Sequence, residues 1–170
     1  MEAFDELKQV ISRLRAKDGC PWDREQTHES LKASCIEEAA EVICGINIYA
    51  KTGRPENLRE ELGDLLLQVL MHAQIAEDEG IFTLEDVVNG IKEKMIRRHP
   101  HIFGDSVARD SAEVLVNWEK IKEEEKSKET AEDKEREKQY LFEAFDEAKG
   151  LIDAARKRKE AKWKGEKEHD

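Results

Sequence analysis

Two acid clusters interrupt otherwise apolar segments of this chain, and they constrain its fold more than any other feature. The first is Glu37-Glu38-Ala39-Ala40-Glu41, and the second is Glu61-Leu62-Gly63-Asp64. Carboxylates inside apolar surface are costly unless a cation meets them. At roughly 100° per helical residue, Glu38 lies about 100° and Glu41 about 40° from Glu37, so the three share one face. In the second segment Leu58, Leu62, Leu65, Leu66, Leu67, Val69, Leu70 and Met71 take up most of the circumference. Only Glu61, Asp64, Gln68 and His72 form a polar line, at steps of three and four. A helix apolar nearly all round is expected to be buried. Five acids on two such helices repel one another without a counter-ion. Hard oxygen ligands with no Cys or His among them suit Mg²⁺, with Mn²⁺ as substitute, better than Zn²⁺. The plain alternative is a solvated acidic face, but that leaves unexplained why the acids break an apolar surface twice.

The rest of the pattern is helical. Phe4, Leu7, Val10, Ile11 and Leu14 form a first stripe that stops at Asp18-Gly19. Gly19-Cys20-Pro21-Trp22-Asp23 is a rigid turn in which Trp22 is expected to plug the bundle end or act as a lid. Thr27 predicts the N-cap of a second helix, running through the first acid cluster to Tyr49. Gly53 suits its C-terminal cap, Pro55 the first turn of a third helix ending near Gly80. So short a connection makes the two helices antiparallel neighbours. Glu41 and Glu61 then differ in height by about 6 Å, within side-chain reach after modest sliding.

Thr83-Leu84-Glu85-Asp86 predicts the start of a fourth helix, which ends in the compact basic stretch Arg97-Arg98-His99-Pro100-His101. Arg97 and Arg98 have two readings that can coexist, a phosphate clamp and complements to a helix C-terminus. Asp110-Ser111-Ala112-Glu113 predicts a capping box for a fifth helix. On it Trp118 and Lys122 lie one turn apart, either as a stacking surface and a phosphate cation or as a core tryptophan beside a solvated lysine. From Glu119 to Lys138 nine acids and seven bases alternate with almost nothing apolar, an exposed helix or linker. A helical stripe resumes from Leu141 to Ala155, and a charged tail follows.

The net charge of −11 opposes non-specific binding to nucleic acid or anionic membrane. Three cysteines without a C-x-x-C pair fit a reducing cytosol, with Cys35 and Cys44 expected as small buried hydrophobes. No apolar run approaches the roughly 18 residues of a membrane span and the N-terminus has no signal-peptide pattern, so a soluble cytoplasmic protein is expected.

Taken together, the chain resembles the MazG family of nucleoside triphosphate pyrophosphohydrolases, whose signature is E-E-x-x-E followed by E-x-x-D. Both halves are present, as Glu37 to Glu41 and Glu61 to Asp64. Gly19 to Asp23, Arg97 to Phe103 and Trp118-Glu119-Lys120-Ile121-Lys122 resemble further family segments in the expected order. The resemblance covers about residues 1–126 and implies an all-α, four-helix-type bundle assembled as a homodimer. It implies Mg²⁺ held by Glu38, Glu41, Glu61 and Asp64, with Glu37 as ligand to a second ion or as a water-orienting base. It places Trp118 and Lys122 on the nucleotide and Arg97 and Arg98 near its phosphates. The implied reaction takes a nucleoside triphosphate and water to the monophosphate and pyrophosphate. Residues 127–170 form a charged linker and an extra C-terminal helix, too short for a second catalytic domain. Two rival readings are a ferritin-type di-iron bundle, which needs two Glu-x-x-His motifs where the core offers only Glu25-Gln26-Thr27-His28, and a non-catalytic helical interaction module.

Overall fold

A computed structural model of the 170-residue chain describes the backbone of residues 2–167 and the side chains of residues 2–164. The described residues form eight helices and no strand, as an all-α chain requires. They are α1 (Glu2–Arg15), α2 (Pro21–Glu25), α3 (Lys32–Thr52), α4 (Glu56–Asp78), α5 (Leu84–Arg98), α6 (Pro100–Phe103), α7 (Ser111–Lys126) and α8 (Ala131–Lys167). They group into two compact units, one of Met1–Thr83 with Ala144–Asp170 and the other of Leu84–Glu143.

The first unit is built on the hairpin of α3 and α4. Gly53 ends α3 in the left-handed region at φ 71° and donates its N–H to the Tyr49 carbonyl, the cap expected of it. Buried Gly45 sets how closely the helices approach, because a Cβ there would lie 2.7 Å from the Leu58 Cα. Leu70, Met71, Ala73, Ile75 and Ala76 of α4, with Ile11 of α1 and Leu31, form the core. The Arg15 guanidinium, 9% exposed, bonds Asp78 at 2.8 Å and the carbonyls of Asp23 and Gln26, tying the ends of α1, α2 and α4 together.

Four expectations need correction here. Thr27 caps a turn and not the helix itself: its Oγ1 accepts from Ser30 N–H, the Ser30 Oγ accepts from Thr27 N–H, and α3 starts only at Lys32. Burial of the apolar residues of α4 holds from Leu70 to Ala76, whereas Leu62, Leu66 and Val69 are exposed, as are Ile43, Ile46 and Tyr49 of α3. Cys44 is exposed and Cys35 half-buried, the first lining the open cavity beside Ala40 and Glu41. Trp22 is 61% exposed and plugs nothing within the chain.

In the second unit Asp110 caps α7 by accepting from Glu113 N–H at 2.9 Å, while the Glu113 carboxylate accepts from Arg109 N–H. The charged stretch from Glu119 to Lys138 is mostly helical, broken only at residues 127–130. There Thr130 Oγ1 accepts from Asp133 N–H and opens α8.

Candidate active site

The close approach at Gly45 brings the two acid clusters together, but not all five acids to one point. Carboxylate oxygens of Glu38, Glu61 and Asp64 lie within 4.8 Å of one another. Glu61 is 8% exposed and accepts one hydrogen bond, from Asn57 Nδ2 at 2.8 Å. No cationic side chain pairs with these three acids among the described residues. Burial, then the neighbouring charges of Glu41, Asp64, Glu61 and Glu37, raises the Glu38 pKa above the usual carboxylate range. Burial and Glu41 raise Glu61 as well, against the Asn57 hydrogen bond. The donors are three hard oxygens on two adjoining helices, with repulsion that a divalent cation would relieve. They fit Mg²⁺ or Mn²⁺.

Glu37 and Glu41 turn the other way, toward α8. Arg158 reaches Glu37 Oε2 at 2.8 Å, and the Lys159 ammonium bridges Glu37 Oε1, at 3.2 Å, and Glu41. Burial alone would raise Glu37, but these two cations outweigh it and its pKa falls below the usual range. Glu41 in turn raises Lys159, against the opposing effect of burial. A cavity of about 400 Å³ lies here, with Glu37, Glu41, Asn57 and Glu61 on its acidic side and Arg156, Lys159, Lys162 and Trp163 on α8. The residues of α8 are what the sequence reading missed. Their one signal is the run Arg156 to Lys164, with six bases and one acid.

His72, expected in line with Glu61 and Asp64, instead stacks on His28 at 5.1 Å between centroids, with Nδ1 atoms 2.8 Å apart and Cys35 Sγ 3.3 Å from its Nε2. The three-acid cluster contains no histidine, unlike the ferritin-type sites.

The second unit gathers three of the four expected substrate contacts. Arg97 and Arg98 both bind Glu125, at 2.6 and 2.5 Å, and hold its pKa down at about 2. Arg98 also lies 5.3 Å from the Trp118 ring centroid, and His99 meets that ring edge-on. Lys122 pairs with Glu119 at 3.0 Å on the same helix. The arginines are thus placed as the capping reading expects, at the end of α5.

Residues 26–103 match the MazG nucleotide pyrophosphohydrolase domain, a span that contains both acid clusters and the end of α5. Over these residues the chain carries a MazG domain. Among its relatives, YabN of Bacillus subtilis, described as uncharacterized, is 52% identical over 124 residues, 73% of this chain and 24% of that protein. The nucleoside triphosphate pyrophosphohydrolase/pyrophosphatase MazG of Thermotoga maritima is 50% identical over 125 residues, 74% of this chain and 46% of its own length. The nucleoside triphosphate pyrophosphohydrolase of Escherichia coli K12 is 45% identical over 128 residues, 75% and 47% of the two chains. The chain therefore spans about a quarter to a half of the length of these relatives.

Proposed function

We propose that this chain hydrolyses nucleoside triphosphates at the α–β phosphoanhydride, giving a nucleoside monophosphate and pyrophosphate, with Mg²⁺ or Mn²⁺ as the required cation. The observation that carries the reading is the meeting of Glu38, Glu61 and Asp64 oxygens within 4.8 Å with no cation against them among the described residues. Glu38, Glu61 and Asp64 would hold the cation, and Glu41, whose charge already acts on Glu38 and Glu61, would complete the set. Once bound, the cation supplies charge neutralisation on the phosphates and a more acidic water. Glu37, next to Glu38 in the chain and held by Arg158 and Lys159, would orient that water or serve a second ion. Attack at phosphorus needs nucleophile and leaving group aligned, which two rigid helices locked at Gly45 can hold.

A homodimer belongs to the same proposal. Ile43, Ile46 and Tyr49 of α3 recur at three-residue steps, and Leu62, Leu66 and Val69 of α4 at four and three, all exposed. Six large apolar side chains in two adjoining helical stripes are the kind of patch that marks an interface between chains. The three free cysteines support a reducing, cytoplasmic setting, and no described helix is long and apolar enough to cross a membrane.

Pyrophosphate and monophosphate release from a panel of ribo- and deoxynucleoside triphosphates, with Mg²⁺ and with chelator, tests the activity. Release of orthophosphate in place of pyrophosphate, or turnover unaffected by chelator, would overturn it.

A further inference from the structure

The C-terminal half of α8 faces the acidic wall across the cavity, and its side chains have a chemistry that neither acid cluster requires. Arg156, Lys159, Lys162 and Trp163 follow one another at steps of three, three and one, so they share one side of the helix. They line the cavity opposite Glu37, Glu41 and Glu61, while Ile36, Ala40 and Ile152 supply apolar surface between. Arg156 is engaged by Glu160 at 2.8 Å, whereas Lys162 has no ion pair among the described residues. Trp163 leaves 61% of its surface open at the cavity edge. Cations beside a bare indole, over an apolar floor, suit a ligand with an anionic chain at one end and a flat aromatic ring at the other.

We propose that the end of α8 is the nucleotide-facing wall of the site, with Lys159 and Lys162 receiving the polyphosphate and Trp163 stacking on the base. This inference rests on the nucleoside triphosphate reading above and adds to it residues outside the matched domain, which ends at 103. It also gives the Lys159 bridge a purpose. With no nucleotide present the ammonium neutralises Glu37 and Glu41. As the polyphosphate enters, the ammonium exchanges carboxylate oxygens for phosphate oxygens, which frees Glu41 while Arg158 keeps hold of Glu37. A protein of net charge −11 needs such a local basic run to admit a polyanion.

The test uses the full chain and the α,β-imido analogues of ATP, GTP, CTP and UTP in Mg²⁺, with binding read by calorimetry and by tryptophan fluorescence. Lys162→Ala and Trp163→Ala are each expected to weaken binding roughly tenfold, the scale of one base stack or one phosphate contact. Lys162→Arg and Trp163→Phe should restore most of it, and quenching by the analogue should disappear in Trp163→Phe. Both positions are exposed, so helicity by circular dichroism should match the parent. Affinities within twofold of the parent for both alanine variants, or tighter binding, would overturn the assignment of α8. If the parent still releases pyrophosphate from the natural triphosphates, the activity stands without it. If the parent neither binds the analogues nor hydrolyses any triphosphate, both fall together.

Discussion

Glu37 and Glu41 on one side, and Glu38, Glu61 and Asp64 on the other, are carboxylates of the same two helices in opposite electrostatic states. The first pair is met by Arg158 and Lys159, and the Glu37 pKa is held below the usual range. The second set meets no cation among the described residues, and Glu38 and Glu61 are pushed above it. Helix geometry sets Glu37 and Glu38 about 100° apart, and Glu41, between them, goes with Glu37 because Lys159 meets it there. The difference separates two tasks that a single acidic patch would blur. A set kept free of protein cations is available to an exogenous one, and a set that is already paired is available for exchange.

The largest effect should come from breaking the unpaired set. Glu38→Gln and Asp64→Asn each remove a hard ligand, and loss of several kcal/mol of charge stabilisation corresponds to a fall of about a thousandfold in hydrolysis. The same changes relieve repulsion, so the melting temperature without divalent cation should hold or rise. A variant that hydrolyses at the parent rate would remove Glu38 or Asp64 from the site.

Next in size is the distance between the helices. Gly45→Ala drives a Cβ to 2.7 Å from the Leu58 backbone, which cannot yield as a side-chain tip would. Overpacking of this kind costs about 1–3 kcal/mol. Because Glu38 and Glu61 converge only while α3 and α4 stay close, the affinity for Mn²⁺ should fall along with the melting temperature. A variant that loses stability but keeps its Mn²⁺ affinity would show that the cluster tolerates a wider spacing.

Glu38 and Glu61 should also respond to acid with the opposite sign to Glu37. Glu38 and Glu61, with pKa values raised on folding, bind protons more tightly when folded. Stability without metal therefore rises as pH drops from neutral into their range. Glu37, with its pKa lowered, contributes stability above the usual carboxylate range and loses it as pH falls through its folded value. Melting curves between pH 7 and pH 3 should first rise and then fall, and the rise should shrink in Glu38→Gln. A curve that falls monotonically in both proteins would contradict the assigned directions.

How much of this was legible beforehand depends on whether neighbours along the chain or distant ones decide it. The caps at Gly53 and Asp110 were readable because each depends on a few adjacent residues. The meeting of Glu38 with Glu61 was readable because helix periodicity and a short connection fix both faces and height. What α8 does was not, because the run from Arg156 to Lys164 has almost no apolar stripe to say which surface it faces. The pairings of Lys159 with Glu37 and Glu41 span more than a hundred residues. Thr27 misled for a local reason: Thr27 and Ser30 satisfy each other's N–H groups and stop a turn short of α3.

The smallest effect sharpens the comparison from outside the chain. Gly63 stands between Glu61 and Asp64 in mid-helix, and a Cβ there would meet nothing within 4 Å. In an isolated chain Gly63→Ala should stabilise α4 by about 0.5–1 kcal/mol, the ordinary gain from removing a helical glycine. In the proposed dimer, Gly63 lies beside Leu62 and Leu66 on the surface a second copy would cover, where an added methyl group meets the partner. Sedimentation of the parent and Gly63→Ala across a concentration series separates the two cases. A higher melting temperature with unchanged association would leave this face of α4 open to solvent and the unpaired acids complete within one chain. Weakened association would mean that a second copy packs directly behind them and completes their burial.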